Sequence, residues 1–183
     1  NLINGWQGVN YKNSSMDSTF IRNCLVQGAL RGCFYINKSR NYFFENCTFI
    51  NNETWRNYNS DLIKIEGSLN IKMRNCLFEN NTYQNMVSVQ NSQNVNIEKC
   101  NFIDNSIFYN GADIGICSSQ IDIDSCNFEF ESANCIHSES STCHISGCNF
   151  SNNTNSIGIH SGWDVINIEN NIIFDNESSI GME

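Results

Sequence analysis

One six-residue phrase occurs seven times along the chain, and it restricts the possible folds more than any other feature. It reads Ile21-Arg-Asn-Cys24-Leu-Val26, Phe44-Glu-Asn-Cys47-Thr-Phe49, Met73-Arg-Asn-Cys76-Leu-Phe78 and Ile97-Glu-Lys-Cys100-Asn-Phe102. It continues as Ile123-Asp-Ser-Cys126-Asn-Phe128, Ile145-Ser-Gly-Cys148-Asn-Phe150 and Ile168-Glu-Asn-Asn171-Ile-Ile173, where Asn replaces the marker Cys. Successive markers stand 22–29 residues apart. Self-similarity at that period means that one small unit is stacked repeatedly, because no single copy can bury its own apolar face.

Each copy resolves into three short segments that alternate apolar and polar residues. Before and at Cys100 they are Val87-Ser-Val89, Val95-Asn-Ile97 and Cys100-Asn-Phe102. Alternation at period two sends one residue inward and its neighbour outward, which is the signature of a strand. Helices are disfavoured, with only three Ala against 33 Asn and 22 Ser. Three strands per copy, each too short to stand alone, must pair with their counterparts in the next copy. The expected fold is all-β, a single right-handed parallel β-helix with three sides and about seven rungs of 22–29 residues. At about 4.8 Å per rung the prism is about 34 Å long.

The turns agree with this reading. Only two residues separate the second strand from the third, and the one before the marker is Asn23, Asn46, Asn75 or Asn170 in four copies. Asn tolerates left-handed backbone, and stacked Asn side chains can share amide hydrogen bonds from rung to rung. Phe49, Phe78, Phe102, Phe128 and Phe150 form an expected inward column. The longer insertions, Asn52 to Asp61 and Asn105 to Asp113, both fall in the third turn. Residues 1–183 are expected to form one β-helix domain that enters and leaves partway through a rung. Ser179-Ile180-Gly181-Met182 repeats Ser156-Ile157-Gly158-Ile159, and Leu2-Ile3 precedes Val9 much as Leu25-Val26 precedes Phe34. Two such open ends suit head-to-tail stacking of copies. A chain that starts at Asn1 without Met also reads as a processed product or as a fragment of a longer repeat protein.

These repeats resemble those of polymorphic outer-membrane proteins, a group of right-handed parallel β-helix proteins. The shared feature is a Phe-x-x-Asn box, matched at Phe49 to Asn52, Phe78 to Asn81, Phe102 to Asn105 and Phe150 to Asn153. The group's second box, Gly-Gly-Ala followed by an aliphatic residue, is missing apart from Gly28-Ala29-Leu30 and Gly111-Ala112. The resemblance implies surface-exposed or secreted passengers, adhesins or fibre components, usually without a catalytic site.

Ten cysteines invite a chemical reading. Cys24, Cys47, Cys76, Cys100, Cys126 and Cys148 occupy the marker column, where a Cys packs as a small inward hydrophobe. Rung spacing lies inside the disulfide range, so free stacked thiols and some pairing both remain open. Off the column, Cys33, Cys117, Cys135 and Cys143 are the better disulfide candidates. No Cys-x-x-Cys pair supports a zinc ribbon or a thioredoxin-like centre. N-glycosylation sequons fall at Asn13, Asn37, Asn46, Asn52, Asn80, Asn149, Asn152 and Asn176. Asn52, Asn80, Asn152 and Asn176 follow their markers by four or five residues, on the loop-bearing edge, whereas Asn46 sits in the tight corner.

Charge and motifs narrow the function. All ten basic residues lie at or before Lys99, with seven acids, and the remainder carries twelve acids and no Lys or Arg. Such a surface cannot neutralise a phosphate backbone, so a nucleic-acid partner is not expected. No apolar run approaches the roughly 20 residues of a membrane helix. Asp122 and Asp124, with Glu129 and Glu131 on the next side, read as outward acids rather than a calcium site. His137 and His160, at the same offset from their markers, are expected to stack, but without a third ligand. The paired acids and uronate-binding bases of polysaccharide-cleaving β-helices are missing, and no catalytic residue, cofactor or metal is expected. No Ser-His-Asp, P-loop or dinucleotide motif occurs. The leading expectation is an extracellular or cell-surface structural or interaction protein, a rod that partners with itself and carries glycans on one edge. The alternative is a carbohydrate-active or carbohydrate-binding β-helix using the acidic second half.

Overall fold

The computed structural model describes residues 8–14, 18–54, 60–160 and 165–182. Three parallel sheets form the sides of a right-handed solenoid. The first has eight strands, from Val9–Lys12 to Ser178–Met182. The second has seven, from Thr19–Arg22 to Val165–Glu169, and the third has seven, from Leu25–Gln27 to Ile172–Phe174. Each strand pairs with the strand three places on in the sequence, so every sheet runs along the axis. Register follows the repeats: Val95 pairs with Ile121, Phe102 with Phe128 and Ile157 with Ile180. The expected match of Ser156–Ile159 with Ser179–Met182 is therefore present as backbone pairing. Leu2 and Ile3 lie outside the described residues.

The corners show why such short strands hold. At each corner one residue adopts left-handed backbone and the next points inward. The first corner turns at Asn13, Lys38, Gly67, Asn91, Ser118 and Ser140, the second at Asn23, Asn46, Asn75, Lys99, Ser125, Gly147 and Asn170. The third turns at Gly28, Asn51, Asn80, Asp104, Phe130, Asn152 and Asp175. Left-handed backbone costs an L-residue about 1–2 kcal/mol, which explains why Asn and Gly dominate these positions. The Asn corner expected from the sequence is present, and its side chains stack: Asn46 Nδ2 donates to Asn23 Oδ1, and Asn75 Nδ2 to Asn46 Oδ1, both at 3.3 Å.

The inward residue after each bend answers a hydrogen-bonding demand. Chain reversal strips its backbone N–H of a ladder carbonyl, and a buried N–H left unpaired costs about 1–3 kcal/mol. At the third corner the equivalent side chain one rung on accepts that bond. Ala29 N–H donates to Asn52 Oδ1 (2.9 Å), Asn52 N–H to Asn81 Oδ1 (3.0 Å) and Asn81 N–H to Asn105 Oδ1 (3.1 Å). The same amides donate backwards, Asn81 Nδ2 to the Phe49 carbonyl at 2.9 Å and Asn153 Nδ2 to that of Phe128 at 3.0 Å. The Phe-x-x-Asn box is thus one core ring plus one ladder amide. At the first corner serines do the same work. Ser39 N–H donates to Ser68 Oγ (3.2 Å), Ser68 N–H to Ser92 Oγ (3.0 Å) and Ser92 N–H to Ser119 Oγ (3.1 Å). Serine recurrence was not among the sequence-based expectations.

The second corner carries the cysteine column. Each thiol donates to the carbonyl two residues back, as in Cys76 to Arg74 (3.4 Å) and Cys148 to Ser146 (3.3 Å). Cys126 N–H donates to Cys148 Sγ (3.4 Å), and Cys148 N–H to Oδ1 of Asn171 (2.8 Å). Cys47, Cys76, Cys100, Cys126 and Cys148 are buried, Cys24 is half-buried, and all ten cysteines are free. The column is a third ladder, in which Asn171 substitutes for a thiol.

Between the corners the core is apolar. Phe49, Phe78, Phe102, Phe128 and Phe150 stack with centroids 4.7–4.9 Å apart and planes within 7° of parallel. All five are fully buried. Phe102→Ala, at the centre of the stack, is expected to cost about 3–5 kcal/mol in urea-induced unfolding. Asn81→Ala strands the Asn52 N–H and the Phe49 carbonyl, and is expected to cost about 2–4 kcal/mol in the same titration.

Candidate functional site

Outward residues of the inner rungs form polar stripes. On the first sheet Asn10, Tyr35, Lys64, Ser88, Gly115, His137 and Gly158 succeed one another. A groove of about 280 Å³ opens at its leading edge, lined by Asn10, Gly32, Tyr35, Ser60, Asp61 and Lys64. The Tyr35 hydroxyl donates to the Glu66 carboxylate, and Asn37 Nδ2 donates to Tyr35 Oη (2.7 Å) and to Glu66 Oε2 (3.2 Å). Lys64 Nζ stands 5.7 Å over the Tyr35 ring and 3.8 Å from Glu66. The bond from Tyr35 lowers the Glu66 carboxyl below its ordinary value and raises the phenol.

Behind the groove, Asn85 Nδ2 donates to Asp61 Oδ1 at 2.7 Å, while Asn85 Oδ1 accepts from Ala112 N–H at 3.0 Å. Burial raises the Asp61 carboxyl despite the Asn85 bond. The Asn85 amide crosses the backbone of Gly115, where an added Cβ would lie 2.5 Å from Oδ1. Asn134 crosses Gly158 in the same way, at 3.2 Å. The groove offers an aromatic face, an ammonium, the Asp61 carboxyl and the Asn10 amide on a flat sheet. It can hydrogen-bond and stack.

The structure sorts the sequence candidates. Offset from the marker divides the edge sequons into two kinds. Asn80 and Asn152 hold the left-handed position and are exposed. Asn52, one residue further on, is a buried ladder member whose Nδ2 bonds the Val26 carbonyl (3.0 Å) and Asn81 Oδ1 (2.9 Å). Asn176 likewise donates to the carbonyls of Phe150 and Phe174. The Asn149 amide donates to Asn127 Oδ1 (2.8 Å) and that of Asn37 is engaged at the groove, whereas Asn13 is exposed.

The four off-column cysteines stand at separate stations. Cys33 and Cys135 share one inward column with Leu62, Met86 and Asp113 between them. Cys143 contacts Ser138 Oγ (3.4 Å) and Cys117 is half-buried. Burial raises the Cys33 thiol to about 12.

Two expectations are corrected. Glu131 is buried rather than outward, at 2% exposure, because it occupies the inward position after a corner. In the backbone register His137 pairs with Gly158 and Glu139 with His160, so the two histidines do not share a position from rung to rung. The equal offset hid a longer first corner, since Val165 pairs with Thr142 after a connection two residues longer. Asp122 and Asp124 do face outward, with Ser146 Oγ donating to Asp124 (2.9 Å). Among the described residues no group of three or more His, Cys, Asp or Glu side chains could hold a metal ion. Among the same residues no helix is long and apolar enough to cross a membrane.

Three parallel sheets, closed by side-chain ladders at every corner, define a parallel β-solenoid. The chain belongs to the right handed beta helix region family, whose match covers residues 7–173. No curated protein matches it. Among solved structures it is similar to PfbA, a surface adhesin of Streptococcus pneumoniae, at 11% identity over 97% of this chain and 63% of that one, with a TM-score of 0.40. A second PfbA structure gives 10% identity over 100% and 70%, with a TM-score of 0.38. HetL, a pentapeptide repeat protein of the cyanobacterium Nostoc sp. strain PCC 7120, gives 10% identity over 93% and 87%, with a TM-score of 0.18. The chain spans less than two thirds of the first PfbA structure.

Gly115→Ala tests how the groove is built. The new methyl displaces Asn85 from both Ala112 and Asp61, and a loss of about 1–3 kcal/mol is expected in chemical denaturation. Gly158→Ala, with more room, is expected to cost less than half as much.

Proposed function

We propose that this chain is an extracellular or cell-surface structural protein, a rod that engages partners along its flat outer faces and joins copies of itself head to tail. The observation that carries the reading is the uniform register. Ser178–Met182 pairs in step with Asn155–His160, as the other strands of the first sheet do apart from the bulge between Tyr83 and Asn85, and a strand of another copy can meet the same backbone pattern. Charge agrees in sign, because the rungs up to Lys99 hold every basic residue and those beyond it are acidic. End-to-end contact therefore sets unlike halves together, an attraction that salt weakens without removing strand pairing. Asn13, Asn80 and Asn152 are exposed sequons that suit N-linked glycans on such a rod, whereas the exposed Asn46 has its amide engaged with Asn23.

Sedimentation and electron microscopy of the intact chain, at rising concentration in low and high salt, test the assembly. Elongated species built from 20.8 kDa units are expected, shorter at high salt. A monodisperse monomer under every condition would remove the head-to-tail element. For chain secreted from a eukaryotic host, enzymatic removal of N-glycans should change the mass at Asn80 or Asn152 and not at Asn52.

A second reading, carbohydrate binding, is favoured by the groove of Tyr35, Asp61 and Lys64. It places the ligand in the first half of the rod rather than the acidic second half. Glycan binding that Tyr35→Ala abolishes would support it, and binding indifferent to that change would not.

A further inference from the structure

Three departures from the repeat converge on one rung. Glu131 stands where the third-corner ladder has Asn52, Asn81, Asn105, Asn153 and Asn176. Just before it, Phe130 holds the left-handed position at φ 60° and is 54% exposed, where other copies use Asn, Asp or Gly. A bulky residue in that backbone region is strained. On the facing side Asp113 occupies the inward column of Cys33, Leu62, Met86 and Cys135, and is 0% exposed. It follows the bulge that takes up Ile107 to Ala112 beside Tyr83 and Asn85.

The two carboxyls meet inside the rod. Asn105 N–H donates to Glu131 Oε2 (3.1 Å), and Asn105 Nδ2 donates to Glu131 Oε1 (3.2 Å) and to Asp113 Oδ1 (3.3 Å). The remaining oxygen, Asp113 Oδ2, has no donor among the described residues. Asn105 Nδ2 thus bridges the two carboxyls, and both are buried. Two ionised carboxylates held to one amide, with Asp113 Oδ2 unpartnered, would repel each other in the core, and a proton on one of them removes that cost. The other titratable groups acting on the pair are Asp104 and the Cys135 thiol, and neither is a cation.

We propose that Asp113 and Glu131 form a buried proton-binding site, which keeps the fifth rung closed while one proton is shared and loosens it when that proton leaves. On release the O–H bond breaks, the proton passes to solvent, and two carboxylates face each other in the core with one donor amide between them. Neither charge has a counter-ion, and a buried unpaired charge is a costly defect. The rung then opens toward water at the corner that Phe130 already strains. The ladder below it, from Ala29 to Asn81, and the Phe49–Phe78 stack stay closed.

Burial raises both carboxyls, Glu131 to about 8. The folded state therefore holds more protons than the unfolded chain. Its stabilising effect is complete below the ordinary carboxyl range and is lost as pH rises through about 8.

Hydrogen exchange followed by mass spectrometry on the intact chain reads this locally. In segments 101–117 and 127–139 the opening constant, corrected for intrinsic exchange, is expected to rise about tenfold per pH unit from about pH 5 to pH 8 and then level off. Segments around Phe49 and Phe78 should not follow. Asp113→Asn combined with Glu131→Gln should flatten the slope. Infrared difference spectra of the unmutated protein give an independent reading, since the protonated-carboxyl stretch should disappear over the same range even if the double variant does not fold. A flat exchange profile in the parent, an unchanged slope in the double variant, or the lack of that infrared band would overturn the proposal. So would calcium protecting the rung at pH 8 in a way that chelation reverses, because a cation rather than a proton would then hold the pair.

Discussion

Every turn of this solenoid must bend the chain sharply and still satisfy the amide that the bend leaves without a ladder carbonyl. A left-handed residue accomplishes the bend, and an inward side chain from the adjacent rung supplies the acceptor. Oxygen on serine, sulfur on cysteine and amide oxygen on asparagine are three chemistries for one task, each predominating at its own corner, with Asn171 and Glu131 as departures. Most of its strands have three to six residues and are too short to be stable by themselves. They persist because corner bonds and sheet bonds reinforce each other along the same axis. The apolar columns then fill the space that this frame encloses, and the Phe stack is the largest of them.

The sequence made the strands and columns legible because alternation at period two survives within a strand. Cys47 to Cys148, the five phenylalanines and the Asn corner were all readable in that way. Corners were harder, since a left-handed residue breaks the alternation and shifts its phase by one. Asn51 and Asn52 look alike in sequence, but one is exposed and bent while the other is buried and bonded. The same slip turned Glu131 outward on paper, and equal spacing in sequence stacked His137 on His160 where the backbone sets each beside another residue. The serine ladder was missed because Ser39, Ser68, Ser92, Ser119 and Ser141 are embedded in polar turns that offer no contrast. The groove is a tertiary product of the Asp61 edge, Asn85 and the Tyr35–Glu66 pair, and no local pattern marks it.

Outer faces are free of the constraints that govern the interior, and they differ along the rod. Near the start, the stacked rings of Phe20 and Phe43, with Arg22 over Phe20, make an exposed aromatic and cationic patch. Further along, Lys72 and Arg74 both reach Glu98, and beyond them the stripe becomes acidic with Asp122, Asp124 and Glu169. Such surface pairs contribute little to stability. Their role is to decorate a scaffold that would stand without them, which leaves these positions able to vary while the fold persists.

The ladders also give the molecule a sense of direction. In all three, the acceptor belongs to the later rung and the donating amide to the earlier one. The backbone-to-side-chain bonds therefore point one way along the rod, while the Asn side chains of the third corner also donate back to earlier carbonyls. A rung reversed in place would set donor against donor and acceptor against acceptor. Whole rungs could thus be gained or lost while the rod kept its build, provided that each arrived in the same orientation. Inversion is the one rearrangement that this architecture forbids.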